Sequence, residues 1–132
     1  MTTRASGTFD VKLAPLPTHE TAEGSLLGHL SIDKEFRGDL TGTSRGEMLS
    51  AGTSVQGSAG YVAIERVEGR LAGRTGTFVL QHNATMNRGV PDLQIAVVPD
   101  SGTGGLSGLT GTMSVDITAG QHSYTFEYSL PA

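Results

Sequence analysis

The sequence contains no cysteine and no tryptophan, and its aromatic residues are limited to four phenylalanines and three tyrosines. The absence of cysteine excludes disulfides, thiolate metal sites and cysteine nucleophiles. A chain of 132 residues is nevertheless long enough to bury one hydrophobic core. We therefore predict a single domain over residues 1–132.

Long apolar runs and clustered positive charge are also missing. No stretch approaches the roughly 20 apolar residues of a membrane-spanning helix, and the amino terminus lacks the apolar segment of a secretion signal. We therefore expect a cytoplasmic protein with no membrane partner. The 9 basic residues are scattered among 13 acidic ones, which gives a net charge of −4, so nucleic acid is not an expected partner.

Glycine is abundant, at 19 of 132 residues, about twice its average usage of roughly 7%. The glycines separate runs rich in Val, Ile, Leu, Thr, Phe and Tyr, and no window combines a helical period with caps at both ends. This pattern predicts an all-β protein with eight strands, which are enough to close a barrel. The predicted strands are 7–13, 25–36, 40–51, 58–72, 75–85, 90–99, 105–118 and 121–130.

Two-residue turns predict which side chains share a face of the sheet. A loop at Gly73 and Arg74 would place Glu65 opposite His82 on an apolar face. A loop at Ala119 and Gly120 would likewise place one apolar set together. The first face carries Tyr61, Ala63, Val67, Leu71, Phe78 and Leu80, and the second carries Met113, Val115, Ile117, His122, Tyr124, Phe126 and Tyr128.

The same rule applied to Gly38 and Asp39 would place a second carboxylate, that of Glu47, on the inner face. Leu49 would lie there with Leu30, Ile32 and Phe36. The outer face would not be uniformly polar, and exposed apolar patches usually mark contacts between proteins. We therefore predict a homo-oligomer, most simply a dimer. The outward apolar positions are Val62, Ile64, Val79, Ala96 and Val98.

Four segments of the chain resemble a bacterial family of unknown function whose members are small barrels similar to allene oxide cyclase. They are FRGDLTGTSRGEML at 36–49, GSAGYVAIERV at 57–67, GTFVLQH at 76–82 and VVPDSGTGGL at 97–106. The resemblance implies an eight-stranded antiparallel barrel of the calycin-like kind, often oligomeric, with no established reaction. The chain departs from it in lacking the tryptophan that members show in the first strand. It also lacks a cysteine to match that of allene oxide cyclases, so no catalytic residue is carried over.

Gly42, Ser44 and Gly46 form the Gly-x-Ser-x-Gly pattern of a nucleophilic serine. That pattern works only where a strand turns sharply into a helix, and no helix is predicted here. We interpret the glycines as bends in a curved barrel strand. The four histidines lack the spacing of a local ligand pair, so we predict no metal and no cofactor.

Glu65 and His82, with Glu47 and Tyr61 nearby, form the candidate site on the apolar face. A buried carboxylate and imidazole stabilise each other's charged forms, and such a pair can move a proton on a bound substrate. The same groups could equally satisfy one another in the core, so structural, binding and catalytic roles all stay open.

The leading hypothesis is a small-molecule-binding barrel with an apolar lumen. Tyr61, Phe78, Leu80, Tyr124 and Phe126 would contact an apolar ligand, oriented by Glu47, Glu65 and His82. A second hypothesis is a cofactor-independent cyclase, isomerase or lyase with Glu65 and His82 as its acid–base pair. A third is a completely filled barrel whose outer face mediates interactions. The size of the lumen separates the first two from the third.

Overall fold

The computed structural model describes residues 2–132 and confirms the all-β prediction. The strands close into one antiparallel barrel in chain order, with β1 paired to β8. They are β1 (Thr3–Pro15), β2 (Leu27–Gly38), β3 (Leu40–Gly52), β4 (Ala59–Leu71), β5 (Arg74–Asn87), β6 (Val90–Val97), β7 (Thr110–Thr118) and β8 (Gln121–Ser129). The predicted start of β7 is wrong, because Gly104–Leu106 forms a 3₁₀ turn ahead of it. Within residues 2–132, no helix is long and apolar enough to cross a membrane.

One end of the lumen, which we call the filled half, is packed with aromatic side chains. It holds all four phenylalanines and two of the three tyrosines: Phe9, Phe36, Phe78, Phe126, Tyr124 and Tyr128. The rings of Phe78 and Phe126 stack with their centroids 5.9 Å apart. Beyond β6 the chain folds over this end, where Leu106 and Leu109 are almost completely buried. The filled half is therefore the hydrophobic core of the protein.

The hydroxyl of Tyr124 ties the turn between β2 and β3 to the core. It accepts a hydrogen bond from the Leu40 N–H at 2.9 Å and lies 2.9 Å from the Arg37 carbonyl, to which it can donate. Gly7 faces the same point, and a Cβ there would lie 1.9 Å from the Arg37 oxygen and 2.6 Å from the Tyr124 hydroxyl. Only glycine lets the two strands and the ring approach so closely.

The predicted register of β4 and β5 is wrong by two residues, but the faces are correct. The turn consists of Ala72 and Gly73, both at positive φ, so Glu65 stands opposite Leu80 and His82 opposite Ala63. A shift of two residues moves a side chain along the strand without moving it to the other face. The predicted pairing of β7 with β8 is confirmed, with Thr118 opposite Gln121.

The predicted register of β2 and β3 is wrong by one residue, which reverses the faces of β3. Ile32 stands opposite Gly46, and Glu47 opposite Ser31. The turn is centred on Asp39 rather than on the Gly38–Asp39 pair. Asp39 is bonded to β1: its N–H donates to the Ser6 carbonyl and its carboxylate accepts from the Ser6 N–H. Glu47 and Leu49 therefore point outward rather than into the lumen.

The dimer stays a prediction. We expect its contact to form on the outer face of β4, which carries exposed apolar side chains. Val62 and Ile64 are 50% and 49% exposed, beside Leu49 of β3 at 57%. We expect sedimentation equilibrium at micromolar concentration to give twice the monomer mass of 13.7 kDa. Ile64→Asp should give the monomer mass, because a charge would be desolvated at the contact, whereas Val90→Asp, away from this patch, should not. A monomer mass for the unmodified protein would contradict the prediction.

Candidate functional site

The other end of the lumen, which we call the open half, contains a cavity of about 210 Å³. Its lining is apolar except for four side chains that point inward from different strands. Leu13 and Ile117, at its rim, are 47% and 61% exposed, so the cavity opens to solvent. The apolar lining is Phe9, Val11, Leu13, Ile32, Met48, Leu93, Ile95, Val115 and Ile117, and the polar lining is Lys34, Tyr61, His82 and His122.

A fully buried carboxylate, that of Glu65, lies behind this cavity. Its Oε2 accepts hydrogen bonds from His82 Nε2 at 2.6 Å and from Lys34 Nζ at 2.8 Å. Its Oε1 accepts one from the Ser44 hydroxyl at 2.8 Å. Four strands, β2 to β5, thus each contribute one member of the cluster. Every oxygen of the buried carboxylate has a donor, as a buried charge requires.

Glycine in β3 makes room for the carboxylate. Gly46 stands opposite Glu65, and a Cβ at this position would lie 2.6 Å from the Glu65 Cα and 2.1 Å from the Ile64 carbonyl oxygen. Ser44 is the next inward-facing residue on the same strand, and its side chain is buried. The Gly-x-Ser-x-Gly segment is therefore a strand that closely approaches β4 and supplies a hydrogen-bond donor, and it does not form a nucleophile turn.

The electrostatics of the cluster keep Glu65 ionised. Burial raises the pKa of this carboxyl, but the hydrogen bond from His82 and the charge of Lys34 outweigh burial and lower the pKa to about 2. The pKa of Tyr61 is raised by its own burial and by the negative charge of Glu65. Near neutral pH the cluster therefore combines a carboxylate with a phenol that keeps its proton.

His82 connects the carboxylate to the cavity. With Nε2 donating to Glu65, Nδ1 is left to face the Tyr61 hydroxyl at 3.5 Å, a distance at which a hydrogen bond is weak. A ring nitrogen oriented by a carboxylate on one side and open to a cavity on the other is the arrangement used in general acid–base chemistry. Glu65, being ionised, serves to hold and polarise the imidazole.

The structure brings three of the predicted site residues together and separates the others. Tyr61, Glu65 and His82 meet as expected, although His82 reaches Glu65 diagonally across the strands. The predicted ligand contacts Phe78, Leu80, Tyr124 and Phe126 are buried in the filled half and do not line the cavity.

Glu47, predicted to face the lumen, lies on the outer surface because of the register of β3. Its carboxylate is 2.7 Å from His29 Nε2, and the other ring nitrogen, Nδ1, is 3.0 Å from the Pro17 carbonyl oxygen. These two hydrogen bonds, the one to Pro17 first, raise the pKa of His29. The pair attaches the segment after β1 to the barrel wall. Within residues 2–132, no three His, Asp or Glu side chains cluster as metal ligands.

Sequence reasoning missed Lys34 and Ser44. A signal for Lys34 was present, because it alternates in β2 with Ile32 and Phe36, which were both placed on the inner face. Lysine is rarely buried without a partner, so this position pointed to a carboxylate inside the barrel. Ser44 could not be found, because its inward orientation depends on the register of β3.

A wider outer groove of about 900 Å³ lies along the edge of the barrel wall, between residues 17–20 and β2 to β5. The outward side chains Leu27, Leu49 and Val62 line it, together with Tyr61 of the candidate site. The three outward side chains are about half exposed to solvent. The groove is larger than the lumen cavity, but within residues 2–132 its lining includes no buried charged side chain.

The buried ion pair generates a stability prediction. Glu65→Gln leaves the ammonium of Lys34 without its counter-charge, so we expect a loss of about 3–5 kcal/mol in the free energy of unfolding. Lys34→Met combined with Glu65→Gln removes both charges and should recover most of that loss. Glu47→Gln, in the exposed pair with His29, should cost no more than about 1 kcal/mol. Urea unfolding at pH 7 measures all three, and a Glu65→Gln variant as stable as the unmodified protein would refute the ion pair.

Comparisons with known proteins agree with the fold. No curated protein matches the chain significantly. The model of the DUF3224 family, described as a protein of unknown function, matches residues 5–128. A crystal structure of a DUF3224 protein of unknown function from Shewanella oneidensis MR-1 is 50% identical, has a TM-score of 0.95, and aligns over 100% of this chain and 99% of that chain. The chain therefore belongs to the DUF3224 family, whose function is unknown.

Proposed function

We propose that this protein binds a small, mainly apolar molecule in the open half of its barrel. The cavity of about 210 Å³ carries the proposal, because protein interiors are otherwise close-packed with few voids larger than a water molecule. An apolar cavity of about 150 Å³ is large enough to bind benzene. The ligand would therefore be a molecule with a single ring or a short chain.

The cavity supports a ligand better than the outer groove does. Its wall is apolar, which favours transfer of a ligand out of water, and its few polar groups converge from separate strands, which can orient the ligand. The packed aromatic side chains of the filled half, including Phe78 and Phe126, lie in the same barrel and stabilise the strands that carry the site. Those residues would keep the barrel rigid and would not contact the ligand.

Acid–base catalysis by the same site is the second candidate. The distance of 2.6 Å between His82 Nε2 and Glu65 Oε2 favours it, because a carboxylate in this position fixes the tautomer and orientation of the ring. Nδ1 of His82 would then exchange a proton with the substrate, with the Tyr61 hydroxyl beside it. The reaction would be a cofactor-independent isomerisation, cyclisation or lyase step. The completely filled barrel is disfavoured by the cavity.

Three valine-to-phenylalanine variants locate a bound probe. Val115 lines the cavity, Val62 lines the outer groove, and Val90 lies in neither lining and is 67% exposed. We expect α-methylstyrene to bind the unmodified protein and to lose binding in Val115→Phe, because the larger ring fills the cavity. Val62→Phe and Val90→Phe should bind it as the unmodified protein does. Chemical-shift titration measures each dissociation constant, and thermal melts verify that each variant is folded.

Two results would contradict the proposed function. Binding that is lost in Val62→Phe and retained in Val115→Phe would place the probe in the outer groove. Absence of any saturable shift in the unmodified protein would mean that the cavity does not take up a molecule of this size.

A further inference from the structure

Lys34 is a buried polar group of the open half that has unused hydrogen-bond donors. An ammonium group has three N–H donors. Within residues 2–132, the Nζ of Lys34 makes one hydrogen bond, to Glu65. The Nζ also lies over two aromatic rings, with the centroids of Phe9 and Phe36 at 5.0 and 5.9 Å. The side chain is only 8% exposed and lines the cavity. Two donors are therefore available to an acceptor inside the cavity.

The other polar groups of the open half face a polar partner or reach solvent. The two oxygens of Glu65 accept from His82, Lys34 and Ser44. The hydroxyl of Tyr61 faces His82 Nδ1. His122 is only partly buried, so solvent reaches its ring, which packs against Phe9 with centroids 5.2 Å apart. Lys34 is thus the group that gains most from an oxygen atom brought by a ligand, since buried donors without acceptors are costly.

The charge of the cluster selects among ligands that carry such an oxygen. Lys34 and Glu65 lie 2.8 Å apart with opposite charges, so together they add no net charge to the cavity. A carboxylate ligand would introduce a negative charge without a full counter-charge, and burying such a charge is expensive. A carbonyl oxygen accepts the same hydrogen bonds and brings no net charge.

We propose that the ligand is a neutral carbonyl compound, an aldehyde or ketone with one ring or a short chain, whose oxygen accepts hydrogen bonds from Lys34. The inference rests on the proposed function, because it names the chemical class of the molecule in the same cavity. The apolar wall contacts the hydrocarbon part, and the ammonium group sets the direction of the carbonyl.

Three probes of closely matched size and shape test whether the ligand is a neutral carbonyl compound. Acetophenone, α-methylstyrene and benzoate carry a carbonyl, a vinylidene group and a carboxylate on the same ring. We expect acetophenone to bind about tenfold more tightly than α-methylstyrene, as a hydrogen bond to a charged donor provides. Benzoate should bind more weakly than acetophenone. Chemical-shift titration of the unmodified protein at pH 7 measures all three dissociation constants.

A double variant identifies the donor. Lys34→Met with Glu65→Gln removes the ammonium N–H donors that reach the cavity and adds no net charge, so acetophenone and α-methylstyrene should then bind within about twofold of each other. Lys12→Met replaces the only other lysine, which is exposed on β1, and should retain the preference. Thermal melts verify folding, and the probe series in the unmodified protein decides the matter if the double variant does not fold.

The possible failures are distinguishable. If α-methylstyrene binds and acetophenone binds no more tightly, the cavity takes up ligands but the carbonyl inference is overturned. If benzoate binds most tightly of the three probes, the inference that the ligand is neutral is overturned. A preference that persists in the double variant would overturn the role of Lys34. If no probe binds, the proposed function itself fails together with the inference.

Discussion

The carboxylate of Glu65 is the constraint on which the open half of the barrel depends. An isolated buried charge is prohibitively costly, so the side chains around it must supply donors. They come from three other strands: Lys34 on β2, Ser44 on β3 and His82 on β5. The absence of a side chain at Gly46 lets β3 approach closely enough. One charged group therefore determines residue types at several inward positions.

The buried ion pair lies where the packed and the open parts of the lumen meet. The chain has few aromatic side chains, and all of them except Tyr61 pack in the filled half, where Leu106 and Leu109 cover the end. Phe9 also lines the cavity. The ion pair lies at the boundary, with the ammonium of Lys34 over the ring of Phe9. Beyond this boundary the inward side chains are aliphatic or titratable, and they leave the cavity between them.

Much of the fold could be predicted from the sequence, because glycine spacing and alternation are local signals. The prediction that Glu65 and His82 share the inner face was correct although the predicted register was wrong. The turn at Ala72 shifts the strands by two residues, and such a shift leaves every side chain on the same face. The predicted inward position of Glu47 was wrong. The turn at Asp39 is held by hydrogen bonds to Ser6 on β1, and local turn rules do not include such contacts between distant segments.

The partners of the carboxylate were harder to predict. Lys34 lies at an inward position in the alternation of β2, but lysine is usually a surface residue. Its burial is explained only by its pairing with the buried carboxylate of Glu65. Without Lys34, Glu65 and His82 form a pair in which Glu65→Gln would be mild. With Lys34, that substitution leaves a buried cation. The presence of a cavity could not be predicted at all, because it depends on how completely the inward side chains fill the space between eight strands.

The pKa of Glu65 in the folded protein shows whether buried donors hold its carboxylate ionised. Its pKa of about 2 lies below the ordinary value of 4.5, so the stability it provides is complete above pH 4.5 and is lost as the pH falls toward 2. Carbon-13 NMR of the Glu65 carboxyl carbon across pH 2 to 8 measures this pKa in the folded protein. We expect the chemical shift to stay constant, at its ionised value, from pH 8 down to about pH 4. A midpoint at or above the ordinary value of 4.5 would contradict it, because the carboxylate would then lack the donors that Lys34 and His82 provide.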